Sequence, residues 1–297
     1  MVCYRMRLLS AVCHMSGFDP IHCLTGNVAL SSASTTSGGS TRSTAPAFSR
    51  TCAGFRAPAR TDTTAGRYPT AVKLYMTFQD DGGTNHYFVG SGTLIGPLHV
   101  ITAGHCVYDH ANYSAGYGWA TAITVVPAYD DPAWPFGGAR AVSLHSWTAW
   151  TVNGLLDHDL GVINLDRPVG ALSGWRGFGY DNAFDFFTTP TWTHNGYPAS
   201  APYDGLHMYT QTGDFDGGDY ASGAWTGNEV FFNRQSYGGQ SGSGAVKNDA
   251  VYAVLSNGNS VLTNDVRIPS DKFIQIQQLI DTHTPDTADL VPLNCQA

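Results

Sequence analysis

Little charge, few cysteines across most of its length and no long apolar run mark this chain. Charged residues make up 13% of its 297 residues, and the formal net charge is −8. An acidic chain without a basic stripe argues against nucleic acid as the partner. No uninterrupted apolar stretch approaches the length of a membrane span. Helix-patterned segments are scarce, while 34 glycines punctuate short apolar runs in a chain that is 12% aromatic. That profile excludes a helical bundle and suits an all-β domain. Of six cysteines, Cys3, Cys13 and Cys23 crowd the start, and only Cys106 lies between Cys52 and Cys295. Cys106 and His110 lack further ligands at zinc-like spacing, so neither a metal nor a cofactor is expected.

Composition divides the chain. Residues 1–60 read as a signal- or propeptide-like, low-complexity segment. Arg5 and Arg7 precede a short apolar run, Leu8 to Val12, and Ser31 to Ser49 is rich in Ser, Thr, Ala and Gly, the composition of a linker. Strand signals begin near Arg67. Ala71 to Phe78 alternates, Asp81-Gly82-Gly83 is a turn signal and His86 to Val89 returns, which predicts a hairpin. Further strands are expected at Leu98–Thr102, Leu160–Leu165, Val230–Phe232 and Ala250–Leu255. Ser270 to Ile280 is the one clear helix; Ser270 can cap it, and Phe273, Ile276, Gln277 and Ile280 share a face expected to pack on the second half of the domain. Residues 284–297 read as an extended tail.

The chemistry concentrates in three places. Gly238-Gly239-Gln240-Ser241-Gly242-Ser243-Gly244 is a glycine-flanked serine turn. Such a turn exposes a hydroxyl and aims backbone N–H groups at the oxyanion that forms when Ser241 attacks a carbonyl. Ser241 needs a base, and of eleven histidines His105 has the best mount, because an apolar strand runs straight into Ala103-Gly104-His105-Cys106. The base needs an acid to hold its tautomer. Asp159 stands at the mouth of an apolar strand, where a carboxylate is costly unless paired; Asp157 is the alternative.

These segments, in the order His, Asp, Ser, resemble the trypsin/chymotrypsin-like serine peptidases. Thr102-Ala103-Gly104-His105-Cys106, Asp159-Leu160-Gly161-Val162-Ile163 and Gly239-Gln240-Ser241-Gly242 look like the family's three blocks. Thr61 to Thr64, Gly104 to Tyr108, Asn195-Gly196-Tyr197-Pro198 and Ser241-Gly242-Ser243 resemble the glutamyl-endopeptidase group in particular. The resemblance implies an all-β fold of two packed six-stranded β-barrels with a C-terminal helix, about residues 66–166 and 171–283 of a 61–283 domain. It implies His105, Asp159 and Ser241 as the catalytic residues, and the Gly239 and Ser241 amides as the oxyanion hole. Gln235, Ser236, Leu255, Ser256 and Gly258 would line the substrate pocket. Leu255 stands where the glutamyl enzymes place a histidine, and Gln235 where trypsin-type enzymes place an aspartate. Specificity for glutamate or for Arg/Lys is therefore not expected. Gly90 occupies the place of the cysteine that many relatives pair with the one after the catalytic histidine, which leaves Cys106 as a buried free thiol. A Cys52–Cys295 bridge suits an oxidising compartment.

The expectation is a secreted, monomeric serine endopeptidase that acts on proteins or peptides and is made as a zymogen. A catalytically inactive, protein-binding homologue is the alternative. An α/β-hydrolase esterase fits poorly: Gly239-Gln240-Ser241-Gly242-Ser243 fails the nucleophile motif at its last position, and His283 is the only histidine after Ser241.

Overall fold

A computed structural model describes residues 59–60, 62–63, 66, 68–110 and 116–283. The two-residue strand β1 is Ala59–Arg60. Next come β2 (Ala71–Gln79), β3 (Asn85–Gly96), β4 (His99–Thr102), β5 (Ala122–Pro127), β6 (Ala139–Ser146) and β7 (Gly161–Leu165). The second half contributes β8 (Gly177–Phe178), β9 (Trp192–Gly196), β10 (Tyr209–Gly213), β11 (Phe215–Ala221), β12 (Ala224–Phe232), β13 (Gly244–Lys247), β14 (Ala250–Gly258) and β15 (Thr263–Arg267). A helix, Ser270–Thr282, follows.

The first six long strands close a barrel in the order β2-β3-β4-β7-β6-β5. The expected hairpin is present: β2 and β3 pair antiparallel from Ala71↔Thr93 to Gln79↔Asn85. Period-2 alternation in β2 sends Val72, Leu74, Met76 and Phe78 into the barrel, where they meet Leu94, Val100, Val125, Val162 and Leu165. The second sheet is larger than six strands. It runs β1-β10-β9-β13-β14-β15-β12-β11, with β8 added in parallel to β14. Its core is aromatic: Phe187, Trp192, Phe215 and Phe232 are buried together, with Phe187 stacked on Trp192 at 5.6 Å between ring centroids. Such rings bury large apolar areas and favour stacked or edge-on contacts. The whole is all-β, two β-barrel-like sheets with one C-terminal helix.

Two features depart from the expected partition. β1 precedes the first barrel but pairs with β10 of the second sheet, Ala59↔Thr210 and Arg60↔Tyr209. The helix does not sit on the second barrel alone: Gln275 Oε1 accepts the Trp147 indole N–H of the first half at 2.7 Å. The barrels also meet through Arg176, on the connection between them, which bonds Asp249 at 2.7 Å and Thr70 at 3.1 Å. Among the described residues no helix is long and apolar enough to cross a membrane. Cys52 and Cys295 lie outside the described residues; Cys106 is fully buried.

Candidate active site

Each key side chain stands where a strand ends. β4 delivers the chain into a single 3-10 turn, Gly104–Cys106, which carries His105. Another such turn, Leu156–His158, precedes β7 and is capped by Asp159. The two meet closely. Asp159 Oδ1 accepts the His105 backbone N–H at 2.6 Å, and Asp159 Oδ2 lies 2.6 Å from His105 Nδ1. Gly104 makes the approach feasible, because a Cβ there would stand 2.9 Å from Asp159 Oδ1 and 3.0 Å from the Leu160 nitrogen. The carboxylate is 1% exposed and the histidine 9%. A buried carboxylate requires partners, and Asp159 has a third, the Ser256 hydroxyl, which donates to Oδ2 at 2.5 Å. With both Asp159 oxygens held, the Nδ1 proton of His105 has a fixed acceptor, which leaves Nε2 as the basic nitrogen. Asp157 does not reach His105; it lies beside His158, 3.7 Å away.

Ser241 comes from the β12–β13 connection and is half-buried. Its carbonyl accepts the Ser91 N–H at 2.8 Å and stands 3.6 Å from Cys106 Sγ, next to the histidine turn. The turn enters through Gly239, whose φ of +92° lies in the left-handed region. A side chain there would also collide with the Tyr197 carbonyl, 2.4 Å from an ideal Cβ. The amide accounting of the turn is selective. Gly238 N donates to Ser200 Oγ, Gln240 N to the Tyr237 carbonyl, Gly242 N to the Leu255 carbonyl and Ser243 N to the Gln240 carbonyl. Among the described residues only the Gly239 and Ser241 amides of Gly238–Ser243 have no acceptor. Two unpaired N–H groups one residue apart in a turn are a ready anion site.

The expected pocket residues lie along β14 and the segment before Ser241. Leu255 is buried and paired with Asp265 across the β14–β15 ladder. Ser256 turns its hydroxyl to Asp159. The Gln235 carbonyl accepts the Gln211 side-chain N–H at 2.8 Å. Gly258 is exposed and abuts Ser236, whose Oγ is 2.3 Å from an ideal Cβ at position 258.

Several polar residues around the site have no role that the sequence reading assigns. Ser243 lies two positions past Ser241 but is fully buried, with Oγ 3.4 Å from His194 Nδ1. His194 Nε2 is 2.9 Å from Asp265 Oδ2, and both side chains are fully buried. Burial pushes the Asp265 carboxyl up, against the pull of the His194 ring. Ser91 of β3 and Gln240 are fully buried as well. Strand register within the second sheet brings His194, Asp265 and Ser243 together and Ser91 joins from the first barrel; only the Ser256–Asp159 bond has a local trace, in the serine's place on a strand beside the expected pocket. Among the described residues no group of three or more His, Cys, Asp or Glu side chains is arranged to hold a metal ion.

The family model described as Trypsin matches residues 60–276. The chain is 27% identical over 223 residues to a Bacillus subtilis (strain 168) protein named extracellular metalloprotease, covering 72% of this chain and 64% of that one. It is 33% identical over 108 residues to the glutamyl endopeptidase of Bacillus licheniformis, covering 36% of this chain and 32% of that one. It therefore spans less than two thirds of the length of either relative. The crystal structure of a thermostable serine protease, AL20, from an extremophilic microorganism superposes with a TM-score of 0.60 at 21% identity, over 73% of this chain and 98% of that one.

Proposed function

Because the chain belongs to the trypsin family, close to its glutamyl-endopeptidase group, we propose that it is a secreted serine endopeptidase acting through His105, Asp159 and Ser241. Ser241 Oγ attacks the peptide carbonyl carbon while His105 Nε2 takes its proton. Asp159 holds the Nδ1 proton and stabilises the imidazolium. The tetrahedral oxyanion accepts the Gly239 and Ser241 N–H groups. His105 then protonates the leaving amine, and water hydrolyses the acyl-enzyme by the same relay in reverse. The observation that carries this reading is the doubly bonded His105–Asp159 pair beside a turn with two unpaired amides. Secretion is part of the proposal, supported by the word extracellular in the B. subtilis relative's name.

Specificity should favour a neutral or apolar residue before the scissile bond. Leu255 is apolar and buried, and Gln235 and Ser236 are uncharged. A substrate carboxylate buried there without a partner would cost several kcal/mol, of order 2–7 for even a neutral polar group.

The test is cleavage of a mixed peptide library by wild type and by Ser241→Ala, with active-site labelling by a fluorophosphonate. Wild type should cut after neutral residues and be labelled at Ser241. Ser241→Ala should lose about 10⁴-fold or more of the rate while melting normally; Ser243→Ala should be far milder. Two rival readings give other results. A silent, peptide-binding homologue would show neither turnover nor labelling. The metal chemistry in the B. subtilis relative's name would appear as activity abolished by a chelator and insensitive to the fluorophosphonate.

A further inference from the structure

The Ser241 turn belongs to the second barrel, yet two of its carbonyls are held by one residue of the first. Ser91, in β3, is fully buried. Its N–H donates to the Ser241 carbonyl at 2.8 Å. Its Oγ lies 2.7 Å from the Gly239 carbonyl oxygen and 2.9 Å from the Tyr197 nitrogen. An amide N–H can only donate, so Tyr197 takes a lone pair of Oγ, and the single Ser91 hydroxyl proton goes to Gly239. The Ser91 carbonyl accepts the Thr102 hydroxyl at 2.8 Å. All three polar groups of Ser91 are therefore directed.

The direction matters because of what Gly239 is. Glycine rotates about φ and ψ at little cost, so a glycine in an anion-binding turn is the point where a peptide plane can flip and withdraw its N–H. Here each plane is held by its carbonyl. The Gly238 carbonyl accepts the Ala199 N–H at 2.6 Å, the Gly239 carbonyl accepts the Ser91 hydroxyl, and the Gln240 carbonyl accepts the Ser243 N–H at 3.0 Å. The turn contains no charged residue. Gln240 is buried, and its Oε1 accepts the Tyr237 N–H at 2.8 Å. Neutral hydrogen bonds hold the turn, and Ser91 supplies the one that crosses from the other barrel to Gly239.

We propose that Ser91 is a positioning residue of the oxyanion hole: its hydroxyl locks the Gly239–Gln240 peptide plane, which joins the planes carrying the Gly239 and Ser241 N–H groups, so that both amides are preorganised before substrate binds. The inference rests on the serine-endopeptidase reading above.

The experiment compares wild type, Ser91→Ala and Ser91→Thr as full chains. Active sites are titrated to completion with a fluorophosphonate, kcat is expressed per titrated site, and KM and inhibition by a peptide boronate are measured alongside thermal melts. Ser91→Ala should lower kcat per site about 10- to 100-fold, somewhat less than loss of an oxyanion donor, with KM within about threefold. Boronate affinity should fall in step with kcat/KM, because the boronate mimics the tetrahedral state. Ser91→Thr, which keeps the hydroxyl, should recover most of the loss. A purely structural role would lower the melting temperature and the titrated fraction while leaving kcat per site intact, and that outcome overturns the proposal; so does unchanged boronate affinity. If Ser91→Ala does not fold, Ser91→Cys, a weaker donor of similar size, takes its place, and wild-type kcat per site in that variant is equally fatal. A wild type that neither cleaves nor labels at Ser241 sinks the endopeptidase reading itself, whereas an active wild type with an equally active Ser91→Ala removes only the role of Ser91.

Discussion

Position 90 shows how much one residue can leave open. Gly90 lies in β3 with an ordinary φ, and a Cβ built on it would stand 3.0 Å from Cys106 Sγ and 3.2 Å from the flexible Met76 Cε. In a disulfide the Cβ of one cysteine lies about 3 Å from the partner sulfur. Gly90→Cys should therefore oxidise onto Cys106 without backbone movement. Closing a loop of this length is worth about 3 kcal/mol in the chain-entropy account, or roughly 6–12 °C in melting temperature for a domain of this size. Scanning calorimetry with and without reductant, beside a thiol count, checks this; a variant with two free thiols in air contradicts it. Ser256 gives the opposite lesson. Its hydroxyl is turned to Asp159, a partnership invisible in the string Leu255-Ser256-Asn257.

At the scale of elements, the C-terminal helix joins the two barrels. Ile276 is fully buried, and Phe273, Leu279 and Ile280 pack on the core, much as the periodicity of the segment anticipates. Lys272 is also buried, with Nζ 5.0 Å from the Trp147 ring centroid, and burial draws its ammonium down to about 8. At the far end His283 meets His99, ring centroids 5.4 Å apart. His99 is buried with neither ring nitrogen hydrogen-bonded, and burial, reinforced by His283 and His145, holds it down at about 4. Burial and His283 hold His145 at about 4 as well. Both rings are neutral in the fold, whereas the unfolded chain takes up their protons near pH 6.5. The unfolded state therefore binds more protons between about pH 6.5 and 4, and stability present above that window is lost on acidification, by about 3 kcal/mol for His99 alone. Thermal melts from pH 8 to 4 should show that fall, and His99→Leu should flatten it. An acid limb unchanged in His99→Leu would place the loss elsewhere.

At the scale of the molecule the question is where the mature protein starts. We propose that the segment before the domain is removed after one of the arginines Arg50, Arg56 or Arg60, a Ser/Thr/Ala/Gly-rich, low-complexity sequence being the natural target. The pairing of β1 with β10 discriminates among them. Cleavage after Arg60 would detach Ala59–Arg60 from the second sheet, whereas cleavage after Arg50 or Arg56 keeps that strand. N-terminal sequencing of the mature protein should find Thr51 or Ala57 first. Intact mass with and without reductant then reports on Cys52 and Cys295, since only cleavage after Arg50 retains both. A fully active protein still beginning near Met1 would refute the propeptide.

Local chemistry wrote part of this protein into its sequence. Alternating apolar residues in Ala71–Phe78, the turn glycines and the apolar run into His105 dictate strands and their ends without reference to distant residues, so the all-β class, the β2–β3 hairpin and the helix at Ser270 are legible from the string alone. The histidine, aspartate and serine segments are legible for the same reason: each needs a particular local backbone. Their assembly is not local. Whether Asp159 or Asp157 meets His105, which hydroxyl closes on Asp159, which amides of the turn stay unpaired and that Ser91 reaches Gly239 all depend on where two barrels place residues far apart in the chain. Hydrogen bonds of 2.5–2.7 Å between such residues are set by strand register and barrel packing, and only the tertiary structure decides those.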